Sequence, residues 1–444
     1  MTDLVESLSS ALDTREATVR QWDSRYLGDS PFVLLTPVQR DQLGERLKSL
    51  RIPLEALAVD LLNERLRLAS FKVGGSDDLD LWERWNEMGG PETAEQVQRD
   101  ALVSGTGYCT IWADETGQPV ALPESARQCI LRRDPVTRRV TVAFKRWFED
   151  NRARGVLYLP DEIRILESAS YVPDGGTIPA NGWRTVSTIP NPLGWVPVVG
   201  ITNLGAVTEP FGRSELGGLV DLADAVRKVM LDSLISSHET GSPRRWSTGV
   251  KLEENETGEV LDPWAKGSQT AMAEAADAKF GQFSPSNLAG FDTLVGMLLR
   301  QFGAASGLTP SMLGLGSNDA ISADAIRASE SNLIARAEAR QRAFGRGWAV
   351  VGALLVAIRD GAEPNRIKVS ATWRDPATRS EAQAADAAVK LHAEGLLSRE
   401  GTLERLGMTP SEIAADSRRV AAEAAQRAVL APPVVQTPPG EAAA

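Results

Sequence analysis

The sequence predicts an α+β protein that is predominantly helical, on three observations. Residues 214–358 read as helix, irregular excursion, helix, short loop and very long helix. A run of short β-type segments precedes that stretch, and an alternating segment with Ile367, Val369, Ala371 and Trp373 follows it. The segments outside these runs space their apolar residues at the three- and four-residue steps of amphipathic helices.

In chain order, residues 3–26 predict a mostly polar helix that ends at Ser30-Pro31. Residues 39–50 and 54–68 predict a helical pair separated by Pro53, the second with an apolar stripe of Leu54, Leu57, Leu61, Leu62 and Leu66. Trp82 and Trp85 mark a short helix, and residues 91–103 predict another, broken by Gly105 and Gly107. The period then changes. Residues 108–112, 128–131, 140–147, 156–159 and 163–166 are β-type runs bounded by turn signals, which predicts an antiparallel meander. Residues 183–189 and 196–201 continue in extended chain up to the Pro210-Phe211-Gly212 turn.

The first helix of the long stretch carries Leu216, Leu219, Ala223, Val226 and Met230 on one face, and the second carries Leu288, Phe291, Leu294, Leu298 and Phe302. Residues 241–287, rich in Gly and Pro, form an inserted lobe. The loop Gly314-Leu315-Gly316-Ser317-Asn318-Asp319 has glycines that permit positive φ and only one charge. Residues 323–358 predict a rod of roughly 50 Å, with Gly345 and Gly347 as its expected kink point. Residues 366–373 are a strand that returns to the N-terminal sheet. Residues 378–394, 398–406 and 411–429 are helices, and the Pro-rich residues 430–444 lack the means to form a core.

Length and composition bound the function. With 444 residues, 42% hydrophobic and 24% charged, the chain can build two or three cores. Its net charge of −11, from 48 basic and 59 acidic residues, argues against a wide basic face for gripping nucleic acid. It leaves room for a protein that DNA slides past. Two cysteines, Cys109 and Cys129, in no metal-ligand or paired spacing fit a reducing compartment. The opening residues hold no secretory signal, and the most apolar window, 348–358, is far short of the ~20 residues of a membrane span. A cytoplasmic protein is expected.

Catalytic signatures are missing. No Gly-Lys pair exists to end a phosphate loop, and neither HExxH nor GxSxG occurs. His238 and His392 stand in unrelated contexts and read as ordinary residues. Gly105-Thr106-Gly107 precedes a strand, so it reads as a helix-to-strand turn and not as a nucleotide loop. Glu253, Glu254 and Glu256 read as a solvated acidic turn. Arg244-Arg245-Trp246 has a composition favoured at interfaces and on phosphate backbones, and a plain surface segment accounts for it equally well. The expectation is a non-enzyme without cofactor or metal.

Several segments together carry a resemblance. These are Arg99-Asp100-Ala101-Leu102-Val103-Ser104-Gly105, Leu157-Tyr158-Leu159-Pro160-Asp161, Asn191-Pro192-Leu193-Gly194, Gly212-Arg213-Ser214-Glu215-Leu216, Pro243-Arg244-Arg245-Trp246, Gly281-Gln282-Phe283, Gly307-Leu308-Thr309-Pro310 and Trp373-Arg374-Asp375-Pro376. In this order they resemble the Gp6-like portal proteins of tailed bacteriophages, of the type common in phages of actinobacteria. The resemblance spans residues 22–408 or so.

It implies a portal fold: a wing of residues 1–213, stem helices 214–240 and 288–307, a clip 241–287, a tunnel loop 308–322, a long helix and wing strand 323–377, a crown 378–430 and a disordered tail 431–444. It also implies a homo-oligomeric ring, typically a dodecamer, at one capsid vertex of the virion, assembled in the host cytoplasm. Terminase would drive double-stranded DNA in through the ring, and the genome would leave through it. Implied partners are the terminase large subunit, head-completion or tail adaptor proteins, and the major capsid or scaffold protein. Gly314 to Asp319 would line the channel, and Arg244, Arg245 and Trp246 would serve the clip interface. A phage head structural or adaptor protein without a DNA channel is the competing expectation.

Overall fold

The computed structural model describes residues 2–29, 52–171, 176–203, 205, 207–241, 245–249, 277–282, 288–315, 323–377 and 381–430. The chain divides into two compact units, one of residues 1–28, 53–217 and 318–444, the other of residues 29–52 and 218–317.

The larger unit opens with α1 (Thr2–Tyr26). Although mostly polar, α1 buries Val5, Leu8 and Leu12 against Ile130, Val142, Phe144, Leu157, Leu166 and Trp183. These come from a five-stranded antiparallel meander, β5 (Cys129–Arg133), β6 (Val140–Glu149), β7 (Arg152–Tyr158), β8 (Glu162–Ser168) and β9 (Trp183–Pro190). Alternate residues of the same strands, Cys129, Leu131, Ala143, Tyr158 and Ile163, enter a second cluster with Val19, Tyr108 and Val198. Period-two alternation thus gives the sheet two buried faces.

The predicted meander is present but does not include the first β-run. Residues 108–112 belong to β3 (Thr106–Ala113), which lies between β10 (Val198–Thr202) and the unpredicted β4 (Pro119–Glu124) in a separate three-stranded sheet. Gly107 permits this placement: a Cβ there would lie 2.0 Å from the carbonyl oxygen of Val97 on the preceding helix.

The expected helix 54–68 is also shorter. Helix α2 (Leu54–Asn63) stops, and Leu68 begins β1 (Leu68–Val73). β1 pairs with β2 (Ser76–Asp77) and, across some 300 residues of chain, with β13 (Val369–Trp373). Long-range strand pairing overrides the helical pattern here. The strand after the long helix therefore does return to the N-terminal half, but to its own small sheet.

Helices α3 (Leu79–Glu87) and α4 (Gly90–Ser104) follow, α3 capped by Asp78, whose carboxylate accepts from Leu81 N at 2.9 Å. Trp82 and Trp85 pack edge-on around Phe71, and Trp85 packs edge-on against Trp348. Trp348 belongs to α7 (Ala323–Asp360), the long rod. Leu333, Ala337, Phe344, Trp348, Val351 and Leu355 recur at helical spacing and are all buried. Gly345 and Gly347 do not interrupt the helix. They allow close approach instead: a Cβ on Gly347 would meet Ile201 Cδ1 at 2.4 Å, and one on Gly345 would meet Trp373 Nε1 at 3.2 Å. The unit ends with α8 (Glu381–Ala393), α9 (Arg399–Arg405) and α10 (Pro410–Leu430).

The smaller unit holds α5 (Val220–Gly241), the strand pair β11 (Arg245–Thr248) and β12 (Lys279–Gln282), and α6 (Ala289–Ser306). α5 and α6 lie side by side. A 3-10 turn, Glu215–Gly218, leads into α5, so the expected helix from Ser214 starts as a tighter turn. The expected helix 39–50, the acidic turn at Glu253, Glu254 and Glu256, and the tail 431–444 lie outside the described residues.

Candidate functional site

The stretch at the end of α6 is built to present a loop. Gly307, at φ +81°, ends the helix in the left-handed region, its N–H donating to Gly303 O at 2.8 Å. Leu308 and Thr309 are buried. Thr309 Oγ1 bonds to Ser311 Oγ at 2.8 Å and accepts from Met312 N at 3.4 Å, which caps a 3-10 turn, Ser311–Leu313, started by Pro310. Gly314, at φ +72°, closes that turn, and Leu315 N returns to Pro310 O at 2.9 Å. Gly303 has no room for a side chain, since a Cβ would lie 2.9 Å from Leu313 Cδ1. Of the candidate loop, Gly314 and Leu315 thus sit on a fixed base, while Gly316, Ser317, Asn318 and Asp319 lie outside the described residues.

The inserted lobe is described only at its stem. Trp246 pairs with Gly281 across β11 and β12, and a Cβ on Gly281 would come within 2.5 Å of the indole, so the ring lies over the glycine. This shields the bare backbone and leaves Trp246 39% exposed. Arg245 is placed by its backbone opposite Gln282, and Arg244 lies outside the described residues.

One cluster was not anticipated from the sequence. Glu215, its side chain 6% exposed, accepts from Arg336 Nη2 at 2.7 Å, from Arg340 Nε at 2.9 Å and Nη2 at 2.5 Å, and from Asn203 Nδ2 at 2.8 Å. Burial pushes its carboxyl up, but Arg340, Asn203 and Arg336 outweigh burial and hold it below the usual carboxylate range. Asn203 also donates to Arg213 O at 2.7 Å, and its N–H donates to Gly105 O at 2.9 Å. Gly212, at φ +70°, fits against these carbonyls, with a would-be Cβ 2.3 Å from Asn203 O. Two of the motifs quoted above, at Gly105 and at Gly212 to Leu216, therefore meet in one knot just before α5. A sequence signal did exist: Arg336 and Arg340 are like charges at i,i+4, an arrangement that calls for an outside anion.

A second buried tether fixes α1. Arg15 donates to Tyr108 Oη and stacks over Phe211, its Cζ 4.3 Å from the ring centroid. Arg146, 1% exposed, donates to Ser9 Oγ at 2.7 Å and pairs with Asp13. These contacts are structural. Cys109 and Cys129 are free and buried, and burial raises both thiols. His392 Nδ1 lies 3.0 Å from Leu397 O at the end of a helix. Among the described residues no three acidic, His or Cys side chains gather as a metal site, and no helix is long and apolar enough to cross a membrane.

The family model for the SPP1 Gp6-like phage portal protein matches residues 7–428. The chain belongs to that family. Its members are phage portal proteins, structural components of the virion and not enzymes. The portal proteins of Mycobacterium phages D29 and L5 are each 30% identical over 371 residues, covering 80% of this chain and 76% of theirs. Among solved structures, a chain from the neck of a native gene transfer agent particle, computed with C12 symmetry, aligns at TM-score 0.44 and 16% identity, over 81% of this chain and 91% of that one. One from the neck of the empty particle, computed with C6 symmetry, aligns at TM-score 0.47 and 17% identity, with the same coverage. At such scores the likeness is remote.

Proposed function

We propose that this portal chain forms a closed ring, a dodecamer, at one vertex of the capsid, and that double-stranded DNA passes through it during packaging and ejection. In this reading α5 and α6 are the stem and the lobe on β11 and β12 is the clip. The stretch after α6 opens the tunnel loop, the sheets with α1 to α4 form the wing, and α8 to α10 form the crown. Terminase, head-completion or tail adaptor proteins, and the capsid or scaffold protein are the partners.

The observation that carries the reading is the apolar surface of the smaller unit. Leu234 on α5, Leu288 just ahead of α6, and Leu294 and Met297 on α6 are 37–46% exposed. Leu294 and Met297, three residues apart, share one helix face. A ring covers such a face on every copy and leaves no open end. A weakly charged loop at Gly314 suits a channel for a polyanion, because each neutralised phosphate adds salt-dependent grip and would slow passage.

The test has two stages. Mass measurement and electron microscopy of the purified protein should show closed rings; monomers at every salt and protein concentration would defeat the proposal. Lys at both Ser317 and Asn318 should then add a basic collar, so that packaged DNA length and ejection become strongly salt-dependent. Assembled rings with normal, salt-insensitive packaging would remove the loop from the DNA path.

A further inference from the structure

The apex joining β5 to β6 stands out in a chain of net charge −11, because four of the eight residues 132–139 are arginine. Arg132, Arg133, Arg138 and Arg139 are all exposed, and among the described residues none of them pairs with a carboxylate. The one acid of the apex, Asp134, is spent on the turn itself. Its carboxylate accepts from Val136 N at 2.9 Å, Thr137 N at 2.6 Å and Thr137 Oγ1 at 2.9 Å, and these bonds hold it below the usual range. Arg132 donates to Ser7 Oγ at 2.8 Å, and Arg133 reaches the carbonyls of Arg138 and Gly200 at 3.4 and 3.5 Å. Arg138 and Arg139 project from this braced base, bonded through their backbone atoms: Arg138 N to Asp134 O at 2.9 Å, Asp134 N to Arg139 O at 2.8 Å and Arg139 N to Thr137 Oγ1 at 3.5 Å.

The backbone at Arg138 adds a second observation. Three non-glycine residues among those described have positive φ: Arg138 at +60°, Asp150 at +51° and Asn151 at +57°. Asp150 and Asn151 form the β6–β7 turn, and Asp and Asn tolerate the left-handed region. Arg does not, and a hairpin of this kind usually places glycine there. The chain thus carries a guanidinium where folding alone favours glycine.

We propose that Arg138 and Arg139, at the β5–β6 apex, form a contact for the phosphate backbone of double-stranded DNA. Guanidinium groups match phosphate geometry and need no apolar surroundings. A stable protein interface centres its binding energy on a few anchors in a well-packed, desolvated patch, and at this apex Val136, 88% exposed, stands with only Pro135 and Thr137 beside it. The site depends on the ring reading only for avidity: repeated around a ring, a weak two-arginine contact becomes a collar.

The test uses the full chain and a short labelled duplex of arbitrary sequence, with binding followed by fluorescence anisotropy between about 50 and 200 mM salt. Variants are Arg138→Gly, Arg139→Gln and the pair together. The double variant should lose roughly tenfold in low-salt affinity, and its slope of log affinity against log salt should shrink by about 2. Arg138→Gly should keep or raise the thermal midpoint, because glycine relieves the left-handed position, so weaker binding by that variant is not a folding defect. Folded variants with unchanged affinity and slope would overturn the proposal. Unchanged duplex binding with lost binding to poly-glutamate would also overturn it, by assigning the apex to an acidic protein surface. Masses measured on the same samples separate this outcome from a failure of ring formation.

Discussion

Replacing Glu215 by Gln should destabilise the larger unit by about 2–3 kcal/mol near pH 7. The substitution keeps the shape and removes the charge that joins Arg336, Arg340 and Asn203. What remains is two arginines one helical turn apart, their side chains only 24% and 17% exposed, that have lost the Glu215 charge they share. Breaking a buried pair costs about 3–5 kcal/mol, and the residual exposure of both guanidinium groups sets the estimate at or below the low end of that range. The loss should depend on pH with a definite sign. Because the Glu215 carboxyl is held below its ordinary range, its stabilising contribution is complete above the unfolded-state pKa and fades as pH falls through the lower folded value. The gap between wild type and Glu215→Gln should therefore be full at pH 6–8 and narrow below about pH 4. Urea unfolding followed by tryptophan fluorescence measures it, and a double-mutant cycle with Arg340→Ala should give a coupling of at least about 1 kcal/mol. A loss below about 0.5 kcal/mol, flat with pH, would mean that the cluster is a solvated surface contact and that the argument from burial is wrong.

Other expectations follow from single contacts. Burial pushes the Asp100 carboxyl up to about 7, with Asp23 adding and the Ala126 N–H and Arg15 opposing. Since that folded value is raised, wild type loses stability as pH climbs from about 4 to 7, and Asp100→Asn should gain on it by something on the order of 3 kcal/mol over that range; parallel pH profiles would contradict this. Gly107→Ala drives a methyl toward the Val97 carbonyl 2.0 Å away and should cost about 3 kcal/mol or more, so an unchanged thermal midpoint would refute the close packing of α4 on β3. Trp246→Ala uncovers Gly281, so amide exchange in β11 and β12 should accelerate while exchange in the meander stays the same; equal protection would mean that the indole does not shield the pair.

Much of the architecture was written in local pattern. The 3.6-residue spacing of Leu219, Ala223 and Val226, the alternation in β5 to β8 and the glycine stop at Gly105 are near-neighbour effects, and each is legible from residues a few positions apart. The family, too, was legible, because its motifs sit in such local elements and keep their order along the chain. Tertiary structure decided the rest. Whether Leu68 continues a helix or starts a strand depends on β13, some 300 residues away, and whether Gly347 bends a helix or admits Ile201 depends on what packs against it. The knot at Glu215 joins residues 203, 215, 336 and 340, and the positive φ of Arg138 comes from closing a particular hairpin. Those features arise from contacts between distant segments, and a one-dimensional pattern holds the participants without saying which of them meet.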